Sequence, residues 1–120
     1  MSFVATEVYD DGLSVLSNVD EVHICTQTPL NYLDATSTFS LGNQTVTPNA
    51  IQDGATADVR EVTIDAFTGG TVTTDGTAAV VAWVDSANSK LYVAFDLDAT
   101  FDVTVGNGFS LDEQTVGIVN

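Results

Sequence analysis

Positive charge is almost missing from this chain: Arg60 and Lys90 stand alone against 17 carboxylates, for a formal net charge of −15 over 120 residues. Proteins that hold nucleic acid or an anionic membrane surface need clustered Lys and Arg, to release counterions or to be drawn to the lipid. Neither nucleic acid nor membrane is therefore an expected partner. Cys25 is the sole cysteine, so an intramolecular disulfide and a Cys-rich metal site are both excluded. No apolar run approaches membrane-spanning length. The opening Met-Ser-Phe-Val-Ala-Thr-Glu has neither the basic region nor the apolar core of a secretory signal, so the chain is expected to be made and folded in a cytoplasm. Phosphate-cradling loops are missing too. Gly69-Gly70 and Gly106-Asn107-Gly108 fit neither a P-loop nor a dinucleotide fingerprint, no Lys follows them, and they read as turn glycines.

Apolar residues, by contrast, make up 44% of the chain, which is enough for a packed core at a length that suits one domain spanning 1–120. The carboxylates are scattered, with no like-charge run longer than Asp10-Asp11, and Asp outnumbers Glu. Such charge belongs to a folded surface rather than to a tail. At low ionic strength its self-repulsion opposes the compact state, whereas molar salt shortens the screening length to about 3 Å. A halophilic setting follows as the expectation.

Ala5, Val8, Tyr9, Gly12, Leu13 and Leu16 recur at spacings of three and four, which predicts one short amphipathic helix over about 4–17, with Ser2 as its cap. Gly12 within it suggests a close approach by another element. Glu21 to Thr26 alternates and predicts a strand, with His23 and Cys25 on one face. Asp34 to Asn43 carries too many hydroxyls and turn formers to be assigned, and Gln44 to Ala57 reads as loop. Further on, β-branched runs alternate with turn residues. They predict strands at Val59 to Phe67, Gly70 to Thr74, Ala78 to Asp85, Lys90 to Leu97, Phe101 to Val105 and Phe109 to Val119, so that most strands lie in 59–119. The apolar run Ala78 to Val84 predicts a strand covered on both faces, in part by the N-terminal helix. In the next strand Leu91, Val93, Phe95 and Leu97 share a predicted core face. The fold class expected is mainly β: an antiparallel sandwich or barrel-like domain with one short N-terminal helix.

Few residues offer chemistry. His23 is the only histidine and Cys25 lies two residues on, but no nucleophile elbow or cysteine-enzyme signature surrounds them. His23 reads as a polar surface residue and Cys25 as a small packed hydrophobe. Asp96, Asp98 and Asp102 share parity and could offer Ca²⁺ a set of oxygen ligands. The sequence lacks an EF-hand loop or Asp repeats around them, so a solvated face that attracts cations loosely is preferred, and no metal or cofactor is assigned. No aromatic cluster marks a sugar cleft, and Trp83 reads as core. No catalytic residue is expected.

The order of segments resembles a family of small β-rich head proteins, decoration or minor capsid components, of tailed bacteriophages and archaeal tailed viruses. The resemblance covers nearly the whole chain. It runs through the N-terminal helix, Glu21-Val-His-Ile-Cys-Thr26, Ala35 to Gly42, Arg60-Glu-Val-Thr-Ile64, Gly76 to Asp85, Asn88 to Leu91 and Thr104 to Leu111. It implies a non-enzymatic structural role in the virion head, as a decoration or cement protein that stabilises the shell in high salt. The expected partners are the major capsid protein or other virion proteins, and a homo-oligomer is expected. A vertex turret, neck or tail component displaying a binding surface is the alternative, and a small Ca²⁺-dependent binding module the second alternative. The acidity departs from the family's usual pattern.

Overall fold

The computed structural model describes residues 12–54 and 59–119. Among the described residues nine strands run in chain order: β1 (Glu21–Cys25), β2 (Ser40–Thr45), β3 (Gln52–Asp53), β4 (Val59–Ile64), β5 (Phe67–Val72), β6 (Gly76–Asp85), β7 (Lys90–Val103), β8 (Gly108–Leu111) and β9 (Gln114–Val119). Every pairing is antiparallel. One curled sheet has the order β7-β6-β1-β2-β5-β8, and a small second sheet has the order β3-β4-β9. The mainly β class read from the sequence is the one observed.

The apolar run in β6 explains why the sheet needs two covers. Val81 and Trp83 face the main core, with Val22 and Ile24 of β1, Val62 and Ile64 of β4, and Leu13 and Leu16 of the N-terminal segment. On the opposite face Val80, Ala82 and Val84 meet Cys25 and Ala35, with Tyr32 and Phe39 packed around them. This second cover is the excursion between β1 and β2, which winds into a short helical turn at Asp34–Thr38.

Most of the helix expected over 4–17 lies outside the described residues, but residues 12–18 are helical and end in a tight turn at Val15–Asn18. Leu13 and Leu16 are buried as the spacing requires. Gly12 is exposed.

Several boundaries differ from those expected. The unassigned stretch Asp34 to Asn43 supplies both the helical turn and most of β2, a strand bonded on both sides. The segment read as loop from Gln44 to Ala57 contains the end of β2 and all of β3. Lys90 to Leu97 and Phe101 to Val105 are one strand, β7, interrupted by a bulge: its register advances from Asp96 to Phe101 while β6 advances only from Val80 to Ala78. A second bulge near Tyr92 moves Leu91 to the second cluster, so it does not share the core face of Val93, Phe95 and Leu97.

Gly69-Gly70, read as turn glycines, instead lie within β5, where a Cβ on Gly70 would collide with the Phe109 ring. Conversely, the strands expected as Val59 to Phe67 and Phe109 to Val119 each break in two. The breaks fall at Asp65-Ala66 and Asp112-Glu113, facing corners between the pairs Ile64/Gln114 and Phe67/Leu111. A two-stranded ribbon thus bends, leaves the large sheet and continues as β4 and β9 of the small one, whose Val62, Ile64 and Val116 pack into the main core.

Candidate functional site

Curling brings the two terminal strands of the six-stranded sheet, β7 and β8, to opposite sides of one cleft. The cleft encloses about 420 Å³, within the roughly 300–1,000 Å³ typical of ligand sites. Its apolar lining comes from Phe95, Leu97 and Phe101 of β7 and Leu111 of β8; Asp96, Asp98, Asp112 and Glu113 add exposed carboxylates. Along Phe95 to Asp98 the alternation of a strand sends the two kinds of side chain to opposite faces.

One wall is fixed by a bond between the sheets. The Trp83 indole N–H, wholly buried, donates to Gln114 Oε1 at 2.8 Å, and Gln114 Nε2 donates to the Asp112 carbonyl at 3.4 Å. Trp83 also meets Phe95 edge to face, with ring centroids 6.2 Å apart. A tryptophan in the core, a glutamine at the corner and a phenylalanine of the cleft therefore form one connected group. Trp83 is core, as the sequence indicated.

The three aspartates singled out in the sequence do not form a ligand set. Asp96 and Asp98 line the cleft, but Asp102 lies further along β7, where it accepts the Thr77 hydroxyl proton at 2.7 Å. Among the described residues no group of three metal-ligating side chains converges.

His23 departs from expectation more sharply, because it is buried rather than on the surface. The excursion between β1 and β2 covers its face of the sheet, and both ring nitrogens find partners: Nδ1 lies 2.9 Å from Ser40 Oγ and Nε2 lies 3.0 Å from Glu21 Oε1. With the proton on Nε2, the ring donates to Glu21 and accepts the Ser40 hydroxyl. Carboxylate, imidazole and hydroxyl then stand in the order used by hydrolytic triads. Ser40 is only 9% exposed, however, and none of the three lines the cleft. A nucleophile needs space for substrate and oxyanion donors beside it. The bonds instead satisfy a polar group that would be costly to bury alone.

Cys25 shares that face and is fully buried, its Sγ donating to the Ala35 carbonyl at 3.5 Å. Burial pushes the thiol up to about 12, so it is inert as a nucleophile at neutral pH. Tyr32 above it is also raised, first by burial and then by the charges of Glu21, Asp20 and Asp85. At the neighbouring hairpin, burial raises the Asp20 carboxyl, but hydrogen bonds from the Ser86 hydroxyl and amide outweigh it and leave a net lowering.

Asp112, Glu113, Gln114, Glu21 and Ser40 were not recognised as site or network residues from the sequence. The available signal was the Asp112-Glu113 pair, an acidic break in a β-branched run. Comparison with protein-family models, with curated proteins and with solved structures found no match.

Proposed function

We propose that this chain is a non-enzymatic structural protein of a tailed-virus particle, a capsid decoration or minor head component that binds a larger assembly in concentrated salt. The observation that carries this reading is the separation of charge from core: of the described carboxylates only Asp85 is buried, while the main apolar core packs between the two sheets and a second cluster lies under the excursion. A β scaffold in a hydrated acidic shell suits a role of position rather than turnover. Such a protein stabilises the assembled state by mass action, because it binds that state and not its parts. The outer edges of β7 and β8, which pair with no other described strand, supply surface for the contact.

Quantitative mass spectrometry of purified particles from the source organism tests the reading through the copy number relative to the major shell subunit. A ratio near one supports decoration, a few copies per particle support a vertex, neck or tail position, and absence overturns the proposal. The salt component has its own readout. Melting temperature should rise between about 0.1 M and 3 M NaCl as the screening length falls to a few ångströms, and an unchanged value would remove high salt from the reading.

A further inference from the structure

We propose that the cleft between β7 and β8 receives an extended segment of a partner protein, one that alternates apolar residues with Lys or Arg and adds a strand along the free edge of β7. The inference rests on the reading of the chain as part of a larger assembly, and it names the chemistry of the contact.

Three observations converge on it. First, β7 pairs only with β6 and β8 only with β5, and no backbone hydrogen bond joins the outer edge of either strand to another described residue. Unpaired N–H and C=O groups on a strand edge are a template for another strand, which is the basis of recognition by β-augmentation.

Second, the two faces of β7 at the cleft differ in kind. Phe95 and Leu97 turn toward the core while Asp96 and Asp98 stay exposed on the other face. A strand laid beside β7 repeats that alternation: its inward residues meet Phe95, Leu97 and Leu111, and its outward residues stand opposite Asp96 and Asp98. Opposite charges across a strand pair stabilise, and like charges oppose. Asp112 and Glu113 at the corner add to the field that draws a cation in.

Third, the chain cannot supply this strand to a second copy of itself. Its two cations, Arg60 and Lys90, are far apart in sequence, and no segment alternates basic with apolar residues. Pairing β7 with β7 of another copy would bring Asp96 and Asp98 near their own kind. The occupant is therefore a different, basic protein segment. The bulge between Asp96 and Phe101 falls where β7 lines the cleft.

The test uses the full chain in isothermal calorimetry at a salt concentration where circular dichroism shows it folded. The probes are a short end-capped peptide alternating Val and Lys, its Val and Glu counterpart, and a peptide of the first composition with the two residue types in separate blocks. The alternating basic peptide should bind best. Replacing Asp96→Asn and Asp98→Asn together should weaken it about tenfold, and N-methylation of its backbone amides on one edge should abolish binding. Equal binding of the acidic or blocked peptide, indifference to the paired substitution, or no binding at all overturns the inference. The particle measurement separates the two claims: presence in particles without this peptide preference sinks the cleft inference alone, whereas absence from particles sinks the structural-protein reading.

Discussion

β1 and β7 belong to the same sheet, separated only by β6, and differ in how completely they are held. β1 is paired on both sides, by β2 and β6, and its side chains from Val22 to Cys25 are buried on both faces. Even its histidine has both nitrogens bonded. Among the described residues β7 has one neighbour, and it carries two bulges and side chains that, apart from Val103, are half-buried or exposed. Each strand carries apolar residues, so hydrophobicity does not distinguish them. What does is whether the opposite face and the outer edge have a cover: the excursion from Thr26 to Phe39 provides one for β1, whereas β7 meets the cleft. Among the described residues the curled sheet is covered and paired at β1 and open at the β7 edge.

The largest break in this contrast should come from the main core that β1 and β7 share through β6. Trp83→Ala removes a wholly buried indole, its contact with Phe95 and its bond to Gln114. A loss of about 3–5 kcal/mol is expected by analogy with large core truncations, read as a shift in urea midpoint. A loss below about 1 kcal/mol would mean that the two sheets do not share one core.

Alkaline pH should attack the opposite face of the sheet, the one beneath the excursion, through Cys25. Its folded-state value lies near 12 against 9.0 for the free thiol, so the folded chain keeps a proton that the unfolded chain releases. The stabilisation is complete below pH 9 and declines as the pH rises toward 12, by up to about 4 kcal/mol from three units at about 1.4 kcal/mol each. Tyr32, also raised, adds a loss of the same sign above pH 10. Between pH 9 and 10 the slope therefore reports mainly the thiol. Urea titrations in that window should show a falling midpoint for the native chain and a flat one for Cys25→Ala.

How much of this contrast was legible in the sequence follows from which signal each strand carries. β6 was read correctly because seven successive apolar residues leave a strand no exposed face. β2 was not, because Ser40-Leu-Gly-Asn-Gln-Thr45 has one large apolar residue; its place comes from backbone pairing to β1 and β5, with Gly42 at the close approach to Thr71. His23 looked like a surface residue because the strand's alternation cannot reveal that a later segment will cover the polar face. Asp96 and Asp98 were placed on one face correctly, but the bulge after Asp96 set Asp102 apart, and a bulge has no sequence signature in a run such as Asp98-Ala-Thr-Phe101. The corner at Asp112-Glu113, which makes the cleft, was hidden inside what read as one long strand.

Gln114 is where the two sides meet, and its replacement sharpens the comparison. Gln114→Leu keeps the volume but leaves the Trp83 indole N–H without an acceptor in a buried site. That should cost about 1–3 kcal/mol. Gln114→Glu restores an acceptor in either protonation state and should recover part of the loss while its carboxyl is protonated, a gain that falls as the buried carboxyl ionises, so stability of the two variants against pH separates hydrogen bonding from packing.

The smallest effect on stability should come from the open side, and its smallness is the informative part. Asp98 is exposed, forms no ion pair or hydrogen bond with another described residue, and stands on a strand with one neighbour. Asp98→Asn keeps its shape and removes one unit of negative charge from a surface that carries a large excess. Its effect on the urea midpoint should stay within about 0.5 kcal/mol, and at low salt it should be slightly stabilising, because it relieves repulsion from Asp96 and the corner carboxylates. That small gain should vanish in molar salt, where charges more than about 3 Å apart no longer interact. A loss above about 1 kcal/mol in both salts would mean that Asp98 holds β7 in place, and the strand would then belong with β1 rather than opposite it.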